Sequence, residues 1–175
     1  VAYVGKRGKT RFAVVDGVVG DGYDVLAEFT FSPDSKRVAY VAKRNGKCLA
    51  VIDGVEQKQY DMIPKDSLRF SPDGRRITYA GTVAGKKCVV VDGIEGKKHE
   101  ALDADSLGFS PDSKRVVYKA VQGGMQFIVI DGVESKWYRG FFGKGQFMFD
   151  GPDHLYALAW RGSELLRLEI EISEK

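Results

Sequence analysis

One ten-residue phrase occurs three times in this chain of 175 residues, always at the same spacing. It reads FSPDSKRVAY at residues 31–40, FSPDGRRITY at 70–79 and FSPDSKRVVY at 109–118. Repeats with periods of roughly 20–50 residues indicate supersecondary units that bury their apolar faces against one another. The repeat therefore constrains the fold more strongly than any single residue does.

Two further markers run in phase with the phrase. Tyrosines recur 37, 39, 39 and 38 residues apart, as Tyr3, Tyr40, Tyr79, Tyr118 and Tyr156. An aspartate followed by glycine stands 13 residues after each of the first four tyrosines: Asp16, Asp53, Asp92 and Asp131. Seven residues after each of these aspartates comes a ring-bearing residue: Tyr23, Tyr60, His99 and Tyr138. We predict one domain, or an arc of a larger ring, with repeat units of approximately 1–37, 38–76, 77–115, 116–154 and 155–175.

Each unit predicts four short antiparallel strands. Between residues 68 and 102, for example, they end at or span 68–70, 76–81, 88–91 and 96–102. The segment Ser-Pro-Asp-Gly at 71–74 suits a type I turn. Asp92-Gly93 favours a type I′ hairpin, which needs positive φ at both central residues. The fourth segment is more polar and is predicted to lie at an edge, and no stretch has helical periodicity with caps.

A repeat of about 40 residues with four antiparallel strands is typical of a β-propeller blade. The phrases FSPDGRRITYAG and FSPDSKRVAYVA resemble the Pro-Asp variant of the WD repeat in TolB-like propellers. Related blades occur in the propeller domains of prolyl-oligopeptidase-type enzymes. The resemblance implies a periplasmic or extracellular location and another protein of the envelope as partner. It does not define a function, because propellers carry many unrelated activities.

The two ends of the chain depart from the repeat. Residues 1–30 supply only the second, third and fourth strands of a blade, and Glu169 stands at the place of the hairpin aspartate with no turn after it. The sequence thus predicts an all-β propeller of about five blades, three complete and two incomplete at the termini. Either the ring has five imperfectly closed blades, or the chain is an arc of a larger propeller. The chain starts at Val1 and not at a methionine, which favours the alternative that residues are missing and that the chain is an arc of a larger propeller.

The repeat also predicts the core. We expect apolar columns between blades that contain Phe31, Phe70, Phe109 and Phe147 together with the repeat tyrosines from Tyr40 onward. Cys48 follows its repeat tyrosine by eight residues and Cys88 by nine, so the two thiols are predicted on opposite strand faces, as free cysteines.

Composition excludes several classes of partner. The 27 basic and 24 acidic side chains leave a net charge of +3, too small to indicate binding to nucleic acid or to an anionic membrane. No apolar run approaches the roughly 20 residues of a membrane helix, so membrane insertion is not expected. Nothing in the sequence implies a cofactor.

Metal binding and catalysis have weak sequence support. The repeated aspartates, Asp34, Asp73, Asp112 and Asp150 as well as the hairpin set, are explained by turns, since equivalent turns in different blades do not converge as calcium requires. His99 and His154 are interpreted as packed, partly exposed blade residues, with His154 at the position of Val38. No nucleophile elbow, zinc helix or phosphate loop is present. We predict neither catalytic residues nor a metal site.

The leading functional hypothesis is a non-enzymatic binding or scaffolding module that recognises a protein or a ligand through one loop face. Two alternatives remain open: a propeller domain severed from a larger hydrolase-type enzyme, and a structural protein, natural or engineered, whose copies associate through unpaired terminal strands. Residues just before the repeated phenylalanines differ among blades while their neighbours recur. A charged funnel is therefore predicted at the channel mouth, where Arg69 and Lys144 meet a carboxylate or phosphate, oriented by Glu28, Asp66 and Asp105.

Overall fold

The computed structural model describes residues 1–142 and 147–172, and every regular element in these ranges is a β-strand. They form five antiparallel sheets, which we call blades 1 to 5. In the described part of the chain there is no helix that could cross a membrane.

The strands follow the chain from blade to blade. Blade 1 contains β1 (Ala2–Arg7), β2 (Thr10–Val15) and β3 (Val18–Tyr23). Blade 2 contains β4 (Val25–Phe31), β5 (Val38–Arg44), β6 (Lys47–Ile52) and β7 (Val55–Tyr60). Blade 3 contains β8 (Arg69–Phe70), β9 (Ile77–Val83), β10 (Lys86–Val91) and β11 (Ile94–Glu95). Blade 4 contains β12 (Ala101–Phe109), β13 (Val116–Gln122), β14 (Met125–Ile130) and β15 (Val133–Glu134). Blade 5 contains β16 (Gly140–Phe142), β17 (Met148–Phe149), β18 (His154–Arg161) and β19 (Glu164–Glu171).

Strand order confirms the predicted architecture. In blades 2, 3 and 4 the four strands lie in sequence order, from first to fourth. Blade 1 has three strands, and its register matches the second, third and fourth strands of the other blades. In blade 5, β16 and β17 share one edge of β18 as an interrupted first strand, and β19 occupies the other edge.

The hairpins between third and fourth strands have the predicted type I′ geometry. Asp16, Asp53, Asp92 and Asp131 have φ between 48° and 51°, and the glycines that follow have φ of 82° or 83°. Both central residues are therefore left-handed, which explains the strict Asp-Gly pair.

The predicted fourth strand at 96–102 is wrong. In blade 3 the fourth strand is only Ile94–Glu95, and His99 adds a single bridge to Lys87. Residues from Ala101 onward belong instead to the first strand of blade 4, where Leu102 and Leu107 are buried. Burying Leu102 and Leu107 in blade 4 stabilises the fold more than extending the polar fourth strand of blade 3 would.

Blade 5 is shifted by one residue from the predicted alignment. Phe149 pairs with Leu155, as Phe70 pairs with Ile77, but six residues separate the former pair and seven the latter. The turn is one residue shorter, so His154 stands at the position of the repeat arginine rather than of Val38. His154 is exposed, unlike the predicted packed residue.

The shift also moves the markers in the later strands of blade 5. Ala157 takes the place of the repeat tyrosine, since it pairs with Leu168 as Tyr118 pairs with Val129. Tyr156, which was predicted in the tyrosine column, therefore points to the opposite face of its strand.

Apolar clusters fill the space between neighbouring blades. Tyr40, Tyr79 and Tyr118 are buried in them, as predicted. Phe70, Phe109 and Phe147 are partly buried against these clusters, whereas Phe31 is 46% exposed, because blade 1 supplies no first strand to cover it.

The two cysteines meet the same cluster from opposite sides. Cys88 of blade 3 is buried in the cluster between blades 2 and 3, and Cys48 of blade 2 packs against that cluster. Both are free, and they use opposite faces of their strands as predicted.

An arginine latch joins blade 2 to blade 3. Arg37 donates from Nε to Asp53 Oδ2 at 2.8 Å, and Asp53 Oδ1 accepts the Val38 N–H at 3.0 Å. Arg37 Nη1 donates to the carbonyl oxygen of Arg75 in blade 3 at 2.6 Å, and its guanidinium lies 5.1 Å from the centre of the Phe70 ring. One side chain thus couples a hairpin, a turn and an aromatic ring of two blades.

The latch recurs between blades 3 and 4 and is incomplete after blade 4. Arg76 Nε donates to Asp92 at 2.9 Å and Arg76 Nη1 to the carbonyl of Lys114 at 2.6 Å. Arg115 contacts Asp131 through Nη1 at 3.2 Å, and its buried Nε has no partner in the described residues. Among the described residues, Arg115 donates no hydrogen bond to the turn of blade 5.

Candidate functional site

Four of the five predicted site residues lie on, or lead into, the first strands of blades 2, 3 and 4. Glu28 is in β4, Asp66 and Arg69 lie before and in β8, and Asp105 is in β12. Lys144 lies outside the described residues. The first strands of neighbouring blades contact each other through these side chains, which places them on the axial side of the blades.

A chain of hydrogen bonds connects the four residues across three blades. The Asp66 N–H donates to Glu28 Oε2 at 3.1 Å. Arg69 donates from Nε to the Asp66 carbonyl at 3.0 Å, from Nη1 to the Leu107 carbonyl at 2.6 Å and from Nη2 to the Asp105 carbonyl at 3.4 Å. The structure therefore connects Glu28, Asp66, Arg69 and Asp105.

Arg69 is a fixed cation, and within the described part of the chain it has no anionic partner. Three of its five N–H groups are held by main-chain carbonyls of two blades. No ion pair among the described residues includes Arg69, although the neighbouring Asp66 and Asp105 are exposed carboxylates. Its guanidinium is thus positioned, and its charge is not neutralised by direct contact in the described chain.

The backbone at the carboxylates is unusual. Glu28 has φ 55° and Asp66 has φ 60°, a left-handed conformation that few residues other than glycine adopt. At Glu28 the pairing of β4 with β5 also shifts register between Ala27 and Thr30, which indicates a bulge. Burial raises the pKa of Glu28, and the N–H of Asp66 partly opposes this effect. Strained backbone of this kind is concentrated at functional sites.

A cavity of about 190 Å³ opens beside Arg69. Phe109, Phe147 and Phe149 line it together with Arg69 and Asp105. The rest of the wall consists of Ser106, Leu107, Gly108 and Val117. Gly108 in blade 4 occupies the position that Arg69 has in blade 3. A Cβ at Gly108 would meet nothing within 4 Å. Glycine thus keeps the wall open, so the site combines one cation with three aromatic rings.

Larger clefts lie between the blades, near the Asp-Gly hairpins. One of about 420 Å³ lies between blades 1 and 2. Two of about 320 Å³ lie between blades 3 and 4 and between blades 4 and 5. They recur between blades and include the latch residues Arg37, Arg76 and Arg115. Since their polar groups form the latch, we interpret them as a consequence of blade packing and of the missing first strand of blade 1.

The repeated aspartates act in turns, as the sequence predicts. Ser71 Oγ donates to Asp73 Oδ1 at 2.6 Å, and the Arg76 N–H donates to Ser71 Oγ at 2.9 Å. The hydrogen bond from Ser71 lowers the pKa of Asp73. Asp34 and Asp112 repeat this arrangement, whereas Asp150 occupies the position of the serine. Among the described residues, no three His, Cys, Asp or Glu side chains form a group that could hold a metal ion.

His99 is fully packed rather than partly exposed as predicted. It is 1% exposed, and its Nε2 lies 3.3 Å from the Tyr118 hydroxyl. The residue opposite it in the cluster is Phe127, where the preceding blades have Leu49 and Cys88. A histidine in place of tyrosine compensates for the larger phenylalanine.

Burial of His99 predicts a loss of stability in mild acid. Burial lowers the pKa of His99 below its ordinary value of 6.5. The unfolded chain therefore binds a proton that the folded chain does not, so the free energy of unfolding falls as pH decreases below about 6.5. Chemical denaturation between about pH 5 and pH 7 should show this slope in the wild type and a reduced slope in His99→Phe. Equal slopes in both proteins would contradict the assignment to His99.

Comparison with known proteins agrees with this geometry. No family model and no curated protein sequence matches the chain. The propeller domain of the Trilobed protease from Pyrococcus furiosus aligns with a TM-score of 0.52 at 13% identity over 85% of this chain, and prolyl oligopeptidase B from Galerina marginata with 0.52 at 12% over 97%. The chain is a β-propeller.

TolB is also among the similar propeller structures. TolB from Acinetobacter baumannii aligns with a TM-score of 0.48 at 16% identity over 98% of this chain. The chain spans 50% of that TolB structure, 59% of the Pyrococcus domain and 33% of the Galerina enzyme. At these identities the likeness establishes the fold alone.

Proposed function

We propose that this β-propeller is a non-enzymatic binding module whose recognition site is the channel mouth around Arg69. The observation that carries the proposal is a guanidinium held by three carbonyls of two blades, without an ion pair in the described chain, beside a cavity lined by three phenylalanines. A fixed arginine fork favours carboxylate or phosphate, and aromatic walls favour an apolar group on the same ligand.

The surrounding carboxylates would give the site selectivity. Glu28, Asp66 and Asp105 lie along the same hydrogen-bonded chain, and they would repel a ligand with several negative charges. A single carboxylate attached to an apolar side chain fits this arrangement better than a polyanion. Lys144, which precedes Phe147 in sequence, is proposed as a second cation for the same group. We propose a protein that presents such a group as the natural partner, in the periplasm or outside the cell.

N-acetyl-phenylalanine is a suitable probe, since it combines one carboxylate with one aromatic ring. We expect it to bind the wild type, and we expect Arg69→Gln to weaken binding by about tenfold or more, because a hydrogen bond to a charged group contributes about 1.5–3 kcal/mol. Titration followed by nuclear magnetic resonance measures the affinity. Arg75→Gln is the matched control, since Arg75 is exposed and, among the carboxylates of the described residues, contacts only Asp73, at 4.0 Å. Equal affinity of Arg69→Gln and wild type would contradict the proposal.

A second candidate function is the propeller domain of a hydrolase-type enzyme. The similar structures with TM-scores above 0.5 include a protease propeller and a prolyl oligopeptidase, of which the chain spans 33%. A G-x-S-x-G segment elsewhere in the same polypeptide would favour this candidate, and a polypeptide composed of repeats alone would favour the binding module.

A further inference from the structure

At the outer edge of the blades, a glutamate accepts hydrogen bonds from the preceding blade. Glu56 in blade 2 accepts from the Tyr23 hydroxyl at 2.7 Å and contacts Arg44 of its own blade at 2.7 Å. Glu95 in blade 3 accepts from the Tyr60 hydroxyl at 2.8 Å and from Lys58 Nζ at 2.9 Å. Each glutamate is the second residue after the hairpin glycine.

The third such junction keeps the ion pair. Glu134 in blade 4 accepts from Lys97 Nζ at 2.5 Å, and His99 stands at the position of the tyrosine. The donors from the preceding blade thus lie in its fourth strand or just after it, and the acceptor lies at the start of the fourth strand of the next blade. We call this set of donors and its glutamate the outer clasp.

Blade 4 carries the donors of a fourth outer clasp. Lys136 and Tyr138 stand at the positions of Lys97 and His99, as their spacing from the hairpin and the Tyr138 bridge to Gln126 show. Tyr138 is 8% exposed and Lys136 is exposed. Within residues 1–142 and 147–172, neither side chain has a carboxylate partner, and no strand covers the outer edge of β19.

β19 offers a template for the missing acceptor strand. It is eight residues long and pairs with β18 through one edge. Leu168 stands at the position of Val90, which pairs with Glu95 in blade 3. A strand added antiparallel to β19 in the same register would therefore place its glutamate opposite Leu168. A cavity of about 320 Å³, lined by residues 133–135 and 170–172, lies between blades 4 and 5 near this edge.

We propose that the outer edge of β19 binds an extended acidic peptide segment of a partner protein, which becomes the fourth strand of blade 5. Main-chain hydrogen bonds to β19 supply affinity, and a glutamate held by Tyr138 and Lys136 supplies specificity. The preferred segment has glycine, then valine or isoleucine, then glutamate, as residues 54–56, 93–95 and 132–134 do.

A second copy of the chain is a poor occupant of this edge. Each described strand that carries the Gly-(Val/Ile)-Glu pattern, namely β7, β11 and β15, is already paired within its own blade. Blade 1 has Val19 at the position of the glutamate. A segment with a free main chain therefore matches the clasp better than a second copy of the chain does.

The probe is a fluorescein-labelled peptide with the sequence of residues 53–60, DGVEQKQY, with blocked ends. Its affinity is measured by fluorescence anisotropy and compared with that of DGVQQKQY. We expect saturable binding of the first peptide and roughly tenfold weaker binding of the second, since the clasp needs a carboxylate. Absence of saturable binding, or equal affinity of both peptides, would overturn the proposal.

Variants of the protein test whether Tyr138 and Lys136 bind the glutamate of the peptide. In Tyr138→Phe and in Lys136→Ala the preference for glutamate over glutamine should shrink, whereas Lys98→Ala, an exposed lysine beside His99, should keep it. An unchanged preference in Tyr138→Phe and Lys136→Ala would overturn the assignment of the clasp. Self-association through this edge, detected by sedimentation and abolished by the peptide, would replace the partner peptide by a second copy and overturn the choice of occupant.

Discussion

Gly81→Ala is expected to lower the free energy of unfolding by about 3 kcal/mol. A Cβ at Gly81 would lie 2.4 Å from Tyr60 Cδ1 and 2.5 Å from Tyr60 Cε1. Tyr60 is 1% exposed and its hydroxyl binds Glu95, so the ring cannot move aside without breaking the outer clasp. Overpacking costs about 1–3 kcal/mol, and a lost hydrogen bond to a carboxylate adds about 1.5 kcal/mol or more. Denaturant unfolding measures the change.

Gly5→Ala is the matched control. Gly5 and Gly81 each follow a repeat tyrosine by two residues, and the same position holds Ala42 and Ala120. A Cβ at Gly5 would meet Val14 Cγ2 at 3.6 Å, an ordinary contact. Alanine in a strand is favoured over glycine by about 0.5–1 kcal/mol, so this variant should be as stable as the wild type or more so. Equal stability of the two alanine variants would show that the Tyr60 ring does not determine the glycine.

Arg76→Ala is expected to lower the free energy of unfolding by about 3 kcal/mol. The change removes an ion pair with Asp92, a hydrogen bond to the Lys114 carbonyl at 2.6 Å and a cation–π contact with Phe109 at 5.5 Å. Each of these contributes on the order of 1 kcal/mol when partly buried. The loss should appear in denaturant unfolding as a lower midpoint with an unchanged slope.

Arg115→Ala provides the internal comparison for the latch. Arg115 has the Asp131 contact, and among the described residues its Nε has no partner. We expect this variant to cost about 1 kcal/mol, roughly a third of the effect at Arg76. If both variants destabilise the protein equally, the contacts of Arg76 with the Lys114 carbonyl and the Phe109 ring do not contribute to the stabilisation by the latch.

The repeat predicted those parts of the fold that depend on local chemistry. Asp-Gly pairs require left-handed backbone, and Ser-Pro-Asp satisfies its own turn, so the hairpins and turns were foreseeable. Strand pairing then follows from the turns, and the blades follow from the strands. The order of strands in blades 2 to 4 needed no information from distant residues.

The prediction failed where tertiary contacts decide. Deletion of one turn residue in blade 5 moves Phe149 and His154 into new roles, and the sequence there lacks the Ser-Pro marker that would show the shift. The fourth strand of blade 3 is shorter than predicted, because the segment that follows it joins the first strand of blade 4. The latch was missed, although the sequence carries a signal for it: Arg37, Arg76 and Arg115 each precede a hairpin aspartate by 16 residues.

The position of Gly81 illustrates the same limit. Alanine at Ala42 and Ala120 suggests from sequence alone that Gly81→Ala is harmless or favourable. The ring of Tyr60 reverses that expectation, since it packs where the methyl group would lie. Only the packing between blades reveals whether this substitution stabilises or destabilises the protein.

The candidate site was predictable in part. Variation at the residues before the repeated phenylalanines pointed to Glu28, Asp66, Arg69 and Asp105, and the structure places them in one hydrogen-bonded chain. The carbonyl partners of Arg69 and the aromatic cavity could not be predicted, because both depend on how blade 4 approaches blades 3 and 5. Lys144 remains a prediction.

Chemical-shift mapping with N-acetyl-phenylalanine is the most direct test of the channel-mouth site. We expect the largest perturbations at the Arg69 side-chain Nε–H and at the amides of residues 105–109, Phe147 and Phe149, which line the cavity. Perturbations should be small at the outer edge, for example at Val55 and Ile94, which are exposed far along the fourth strands. Saturable perturbations confined to the outer edge, with Arg69 unchanged, would contradict the account.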